Sequence, residues 1–216
     1  MDRINLTNNS MSINLLNIAK RLKSMSHLGL TYANNEYDLE RYKEFEQISL
    51  DMMNELTEHP LDALSIYFND TKEYITPKVD IRAVIFNAQK QILLVKEKSD
   101  GKWSLPGGWA DIGLSPTEIA VKEAFEETGF TVKATKLLAV MDKRCHPHPP
   151  QLDYVYKIFI QCEITGGEQS IAFDMLDVAF FDQDAIPELS TDRVLPSHIH
   201  LMFEYLNDPD KEAMID

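Results

Sequence analysis

Apolar residues recur at helical spacing along the first third of the chain. The residues that carry this period near the start are Leu15, Leu16, Ile18, Ala19, Leu22 and Met25. They predict a helix over about residues 11–28, with Gly29 as its end. A second helix is predicted from about Asp38 to Leu56, and Pro60 opens a third, through about Phe68. We therefore expect a small N-terminal helical domain over residues 1–72.

From residue 78 the apolar period changes to two, which is typical of β-strands. Strands are predicted over about residues 79–85, 91–98, 131–142, 154–164 and 177–182. A turn at Ala88-Gln89-Lys90 joins the first two strands, and a last helix is predicted at about residues 192–207. These elements favour a second domain, of the α/β class, over residues 73–216.

Another helix is marked by its own terminal signals. Ser115 is a good N-cap, Pro116 suits the first helical position, and Glu118 completes a capping box. Gly129 is a natural residue just beyond the end of a helix. The signals predict a helix over about residues 116–128.

Glu123, Glu126 and Glu127 fall within one arc of about 100° on this helix, beside an apolar arc. The apolar arc, expected in the core, contains Ala120, Val121, Ala124 and Phe125. Like charges four residues apart repel, and carboxylates in the last turns face the negative end of the helix dipole. Each effect costs up to about 1 kcal/mol. A divalent cation would reverse the sign of both, so the pattern favours a metal site.

The stretch GGWADIGLSPTEIAVKEAFEETGF resembles the Nudix box, G-x5-E-x7-R-E-U-x-E-E-x-G-U, in which U is a bulky apolar residue. The matching positions are Gly108, Glu123, Glu126, Glu127, Gly129 and Phe130. Leu114 stands where the first Glu is expected, Lys122 replaces the Arg, and Ala124 is small for its position. The resemblance implies an α/β/α sandwich with a mixed sheet. It also implies hydrolysis, assisted by Mg²⁺ or Mn²⁺, of a nucleoside diphosphate linked to another group.

The same resemblance makes Glu123, Glu126 and Glu127 the candidate catalytic residues and metal ligands. The family pattern adds the backbone carbonyl of Gly107 to the metal ligands. Family members use either a box Glu or an acid on a later loop as the general base. The loop candidates are Glu168, Asp174 and Asp177, and the sequence does not choose among them.

A diphosphate substrate needs cationic or N–H partners. The basic candidates are Arg82, Lys96 and Arg193, and each is equally well explained as a solvated surface charge. In the segment CHPHPPQLDYVYK, we predict that His146 and His148 contact the substrate through imidazole N–H groups. The alternative for this segment is a rigid surface loop, stiffened by its prolines.

The run AKRLKSMSHLGLTYANNEYDLERYKEF is similar to the helical domain that precedes the Nudix domain in one bacterial branch. That branch includes CDP-choline pyrophosphatases and proteins labelled ADP-ribose pyrophosphatase. The resemblance implies a homodimer, or a helical domain that shapes the substrate cleft, and it favours CDP-choline as the substrate, with ADP-ribose next. The alternatives are a ligand-binding regulator without activity and a hydrolase that processes RNA ends.

Composition narrows the possible partners and compartment. The net charge of −14 weighs against a stable nucleic-acid partner. No apolar run approaches the ~20 residues that a membrane span needs. With two cysteines, a disulfide framework is not expected, so we expect a cytoplasmic protein. The partner expected from the Nudix resemblance is a small-molecule nucleotide substrate.

Overall fold

A computed structural model describes residues 3–57 and 76–216, with side chains described from residue 15 onward. The chain divides into two compact units, Met1–Thr76 and Pro77–Asp216. The predicted helix at residues 60–68 and the predicted domain boundary between residues 72 and 73 lie outside the described residues. Within the described residues, no helix is long and apolar enough to cross a membrane.

The first unit contains helices α1 (Arg3–Tyr32) and α2 (Glu36–Leu56), which pack against each other. Asn35 caps α2, because its side chain accepts a hydrogen bond from the backbone N–H of Asp38 at 2.8 Å. The buried apolar side chains of the pair are Leu16, Ala19, Leu50 and Met53. The first two of the three predicted helices are therefore confirmed, with α1 longer than expected.

Gly29 does not end α1, which continues to Tyr32, so that prediction was wrong. A Cβ atom on Gly29 would lie 2.3 Å from Cδ1 of Tyr42, which belongs to α2. The glycine therefore allows the second helix to approach closely. A glycine selected for packing looks the same in the sequence as one that ends a helix.

The second unit is built on two sheets. The strands are β1 (Lys78–Ile85), β2 (Ile92–Glu97), β3 (Trp103–Ser104), β4 (Gly107–Trp109), β5 (Phe130–Asp142), β6 (Val155–Gly167), β7 (Met175–Phe181) and β8 (Met214–Ile215). The five-stranded sheet has the order β4-β1-β6-β5-β8, and the three-stranded sheet has the order β3-β2-β7. β1 is parallel to β6 and antiparallel to β4, so the larger sheet is mixed.

The predicted turn after β1 is present, but it does not hold two strands of one sheet together. Asn87 donates its backbone N–H to the carbonyl of Gln91 at 3.0 Å, and Lys90 has a φ of 64°. Beyond the Phe86–Ile92 bridge the strands diverge, since β1 pairs with β4 and β6 whereas β2 pairs with β3 and β7. The turn thus marks the point where the chain passes from one sheet to the other.

Helices α3 (Pro116–Thr128) and α4 (Pro196–Asn207) belong to separate hydrophobic cores. The core around α3 includes Ile81, Ala83, Leu93, Ile119, Ala120 and Ala124. The core around α4 includes Leu138, Phe159, Ile199, Met202 and Phe203. The predicted α/β fold, with helices packed on a mixed sheet, is confirmed.

One detail of the predicted faces was wrong, since Phe125 is 56% exposed and lies outside the core arc of α3. On β1, Asp80 and Arg82 alternate with the core residues Ile81 and Ala83 and are themselves buried. That side of β1 faces a polar cleft, and Asp80 and Arg82 line it.

Candidate functional site

A polar cleft of about 590 Å³ opens in the second unit. Its lining residues are Asp80, Arg82, Glu97, Gly107, Gly108, Trp109, Asp111, Lys122, Glu123, Glu127, Lys143, Gln151, Val155, Lys157, Asp174, Met175, Asp192 and Arg193. They come from β1, β2, β4, α3, β6 and the first residue of β7, and from the segments that follow β4, β5, β6 and β7. Most of the lining side chains are ionisable, which is unusual for a passive surface groove and typical of a site for a charged ligand.

The capping residues fix the position of α3 against this cleft. The Ser115 side chain accepts a hydrogen bond from the backbone N–H of Glu118, and the Glu118 carboxylate accepts one from the N–H of Ser115 at 2.7 Å. At the other end, Gly129 has a φ of 77°, the left-handed conformation that glycine adopts readily. α3 therefore has the predicted bounds, and Glu123 and Glu127, one turn apart, both face the cleft.

Glu127 is 7% exposed, and its carboxylate accepts a hydrogen bond from the N–H of Gly107 at 2.9 Å. Burial raises the pKa of Glu127 to about 8, although the charge of Arg82 and the Gly107 bond act in the opposite sense. Gly107 has a φ of 144°, and a Cβ atom there would lie 2.0 Å from the carbonyl oxygen of Ile81. Glycine is required because β4 lies so close to β1.

Glu123 lies beside Gly108, where an added Cβ atom would be 3.2 Å from the Glu123 Oε2 atom. Burial raises the pKa of Glu123, and the ammonium of Lys122 opposes this effect. The two cleft-facing carboxylates of α3 are thus held partly out of water by the glycine strand β4. A hard dication would favour their charged forms.

Lys122 forms ion pairs with Asp111, Glu123 and Glu126 at 3.3, 3.3 and 3.0 Å. It therefore relieves part of the repulsion that was expected among the acids of α3, without any metal. Glu126 is directed to Lys122, and the structure does not bring it to the cleft. Glu126 is on the exposed flank of α3, since the side chain is 54% exposed, and its predicted place among the metal-facing acids is not supported by this geometry.

Arg82 reaches the cleft, but most of its N–H groups are used inside the protein. It binds the carboxylate of Asp80 at 2.9 Å and the carbonyl of Leu105 at 3.0 Å. Asp80 also pairs with Lys157, and although burial would raise the pKa of Asp80, the two cations hold it below its usual value. Arg82 thus acts as an internal counter-charge to Asp80, and its predicted contact with a phosphate stays a prediction.

Arg193 lines the cleft and Lys96 does not. The Arg193 guanidinium pairs with Glu97 at 3.0 Å. Neighbouring residues on a strand point to opposite sides, and on β2 the cleft side belongs to Glu97. The prediction that Lys96 binds substrate is therefore not met by the structure.

His146 and His148 are turned away from the cleft. Nε2 of His146 lies 3.1 Å from the carboxylate of Asp216, and Nδ1 of His148 donates to the carbonyl of Thr191 at 2.6 Å. Both rings pack against His198, with centroids 5.0 and 5.1 Å apart. Burial lowers the pKa of His148 to about 4, so its imidazole is neutral near pH 7. The predicted substrate contact by these histidines is not supported.

The same segment instead contributes Gln151 to the cleft, and Lys143 reaches the cleft from the turn just before the segment. Sequence reasoning missed these two, together with Asp80, Glu97 and Lys157. Asp80 and Lys157 are register partners on the parallel strands β1 and β6, a pairing that needs the sheet order to be known. Glu97 could have been found from the sequence, because it is an acidic residue at the end of β2, just after the apolar run of that strand.

Of the three loop acids proposed as general base, Asp174 lines the cleft, whereas Glu168 and Asp177 do not. Asp177 instead accepts a hydrogen bond from the N–H of Val178 at 2.8 Å. Of the three loop candidates for the general base, Asp174 is therefore the one with access to the cleft.

Within residues 3–57 and 76–216, no three His, Cys, Asp or Glu side chains converge closely enough to hold a metal ion. The oxygen donors present nonetheless fit a hard cation, because the partly buried Glu123 and the buried Glu127 are carboxylates that face one cleft. The residues that could hold Mg²⁺ or Mn²⁺ are Glu123 and Glu127, with the backbone at Gly107 beside them.

Two family models match the chain. One, described as a NUDIX domain, matches residues 76–201. The other, described as a UDP-X-like, N-terminal oligomerisation domain, matches residues 14–68.

Relatives and solved structures agree with these matches. The Bacillus subtilis (strain 168) protein named "Putative ADP-ribose pyrophosphatase YjhB" is 41% identical over 92% of this chain and 95% of its own length. An ADP-ribose pyrophosphatase of Methanocaldococcus jannaschii is 33% identical, over 55% of this chain and 70% of its own. The crystal structure of a UDP-X diphosphatase, 29% identical, superposes with a TM-score of 0.61 over 95% of this chain and 99% of its own. The crystal structure of an ADP-ribose pyrophosphatase from Streptococcus suis is 35% identical in sequence. It superposes with a TM-score of 0.57 and covers 65% of this chain and 100% of its own.

We expect protein freed of divalent cations with EDTA to lose stability as the pH rises from about 4.5 to about 8. The folded state keeps a proton on Glu127 that the unfolded chain releases above the ordinary pKa of 4.5. The stability from this group is complete below that pH and is lost as the pH rises through about 8. The measurement is the unfolding temperature across this interval.

Glu127→Gln provides the comparison, because other titrating groups contribute equally to both proteins. The unfolding temperature of this variant should fall less steeply with pH than that of the wild type. Added Mn²⁺ should flatten the wild-type curve. Identical slopes for the two proteins in EDTA would show that Glu127 titrates normally.

Proposed function

The chain belongs to the Nudix hydrolase family, and we propose that it cleaves the diphosphate bond of a nucleoside diphosphate linked to a second group, with Mg²⁺ or Mn²⁺. The observation that carries this proposal is the pair of carboxylates, a partly buried Glu123 and a buried Glu127, facing one polar cleft. A diphosphate is anionic and repels nucleophiles, so carboxylates at its site need an intervening cation.

The bound dication would neutralise phosphate charge and lower the pKa of a water molecule. The protein's part is to hold the two carboxylates in place. The N–H of Gly107 orients the Glu127 carboxylate at 2.9 Å, and Lys122 holds Glu123 from the side at 3.3 Å. Glu126 acts through its ion pair with Lys122.

The substrate belongs to a class that includes ADP-ribose, UDP-linked groups and CDP-choline. ADP-ribose is the first to test, because relatives at 41% and 33% identity carry that name. UDP-linked sugars follow from the named structural neighbour, and CDP-choline follows from the resemblance of the helical segment.

We expect Glu127→Gln and Glu123→Gln to lower kcat by at least about 100-fold on whichever substrate is cleaved. Each change removes a charged oxygen donor while keeping the shape of the side chain. Purified protein is assayed with ADP-ribose, UDP-glucose, CDP-choline and a short RNA, with Mg²⁺ or Mn²⁺. Glu163→Gln, on the exposed side of β6, is the matched control and should keep full activity.

Full turnover in Glu127→Gln would remove the role assigned to this carboxylate. If the wild type binds these nucleotides in calorimetry but cleaves none of them, the chain is a ligand-binding regulator.

We propose Asp174 as the general base, because it is the loop acid at the cleft. Asp174→Asn should lower kcat by about 10²- to 10⁴-fold. Asp177→Asn, at an acid outside the cleft, is the control and should leave the rate unchanged. Equal rates for the two variants would return the base to a box glutamate.

We further propose that the chain forms a homodimer through its N-terminal unit. An apolar groove of about 390 Å³ on the helix pair is lined by Leu15, Ile48, Met52 and Leu56, with Asp51 and Glu55. Leu15 and Ile48 are 39% and 42% exposed, which suits an interface. The model that matches residues 14–68 is described as an oligomerisation domain.

Ile48→Glu should convert the dimer to a monomer, because it places a charge in the apolar groove. Sedimentation velocity at several protein concentrations measures the change. Tyr37→Glu is the control, since Tyr37 is 76% exposed and lies outside the groove. A wild-type monomer, or an Ile48→Glu dimer, would contradict the assignment.

A further inference from the structure

Lys143 is a buried cation that has no ion-pair partner within the described residues. It is 7% exposed and lines the cleft. Its ammonium donates a hydrogen bond to Oε1 of Gln151, which is a neutral acceptor. In the part of the chain that the structure describes, no carboxylate oxygen lies within 4 Å of this ammonium. Buried lysines are usually paired, so an unpaired one at a cleft calls for an explanation.

The other cations of the cleft differ from Lys143 in this respect. Arg82 and Lys157 both pair with Asp80, and Arg193 pairs with Glu97. Burial lowers the pKa of Lys143, and the nearby charges of Asp192 and Asp80 oppose this effect from beyond pairing distance. The cleft thus compensates its other cations and leaves this one open to an incoming anion.

The turn that carries Lys143 is firmly held. The side chain of Asp142 accepts a hydrogen bond from the N–H of Arg144 at 2.9 Å and begins the 3₁₀ turn Lys143–Cys145. The Asp216 carboxylate accepts one from the N–H of Asp142 at 2.7 Å and contacts His146 at 3.1 Å. The ammonium is therefore presented from a fixed frame, which lowers the entropic cost of binding a ligand.

The histidine-proline segment gains a role from this arrangement. His146 and His148 are bound to Asp216 and Thr191, and they anchor the chain on the far side of the turn. Gln151, from the same segment, reaches back to the ammonium. The segment positions a cation at the cleft and does not itself meet the ligand.

We propose that Lys143 binds a phosphate of the substrate, on a wall of the cleft separate from the α3 wall that carries Glu123 and Glu127. The proposal rests on the proposed function, because the phosphate belongs to the nucleoside diphosphate. An ammonium has three N–H donors, and Gln151 takes one of them, so two can reach phosphate oxygens. The phosphate supplies the negative charge that the protein omits, and in a partly desolvated cleft that pairing is strong.

The test measures binding without catalysis. The probes are AMP, UMP and CMP, titrated into protein in EDTA by calorimetry, with adenosine, uridine and cytidine as probes that lack the phosphate. Lys143→Met keeps the length of the side chain and removes its charge. It should weaken binding of the best monophosphate by about 10- to 100-fold, with nucleoside binding unchanged. Lys143→Arg should retain most of the affinity, and Lys133→Met, on β5, is the surface control.

A stability measurement separates this role from a structural one. Removing a buried unpaired charge should leave the unfolding temperature of Lys143→Met unchanged or higher. On an active substrate, KM should rise by at least about tenfold while kcat changes less.

Three results would overturn the proposal. One is equal monophosphate affinity in the wild type and Lys143→Met. Another is a wild type that binds monophosphates no better than nucleosides. The third is a lower unfolding temperature in Lys143→Met together with unchanged KM. If no substrate is hydrolysed but monophosphate binding still depends on Lys143, the subsite stands and the proposed hydrolysis fails.

Discussion

The hydrogen bond from Gly107 to Glu127 determines the geometry of the site. It forms because β4 runs so close to β1 that a Cβ atom at Gly107 would lie 2.0 Å from a backbone oxygen of Ile81. The bond joins the glycine strand to α3, and it turns the carboxylate of Glu127 into the cleft. Glu123, one turn earlier, faces the same cleft and pairs with Lys122 at 3.3 Å. Burial raises the pKa of both acids, which is the usual sign of a carboxylate kept for a ligand.

Charge compensation in the cleft follows a simple rule with two exceptions. The buried charges of Asp80, Arg82, Glu97 and Lys157 each have an ion pair within 4 Å. Glu127 and Lys143 have none in the described part of the chain, and they come from different walls. A dication bound to a diphosphate carries the complementary charges, positive for the carboxylate and negative for the ammonium. The two exceptions therefore match the two ends of one proposed ligand.

How much the sequence could predict depended on how far apart the interacting residues lie. The bounds of α3 were predicted exactly, because Ser115, Glu118 and Gly129 act within one turn of its ends. The strands were predicted for the same reason, because the alternation of apolar residues is a pattern within each strand. The role of Gly29 depends on Tyr42 in the next helix, and the partner of His146 is 70 residues away, so no local pattern could reveal either. The role of Lys143 could not be predicted either, because only the folded structure shows that its ammonium has no ion-pair partner within the described residues.

This difference in range also explains why the reaction is easier to predict than the substrate. The carboxylates and the glycine strand lie in one continuous stretch, Gly107 to Gly129, which local signals identify. The wall that carries Lys143 and Gln151 follows β5. It is hydrogen-bonded to Thr191, which follows β7, and to Asp216, which follows β8. Changes there would alter the ligand without touching the α3 carboxylates.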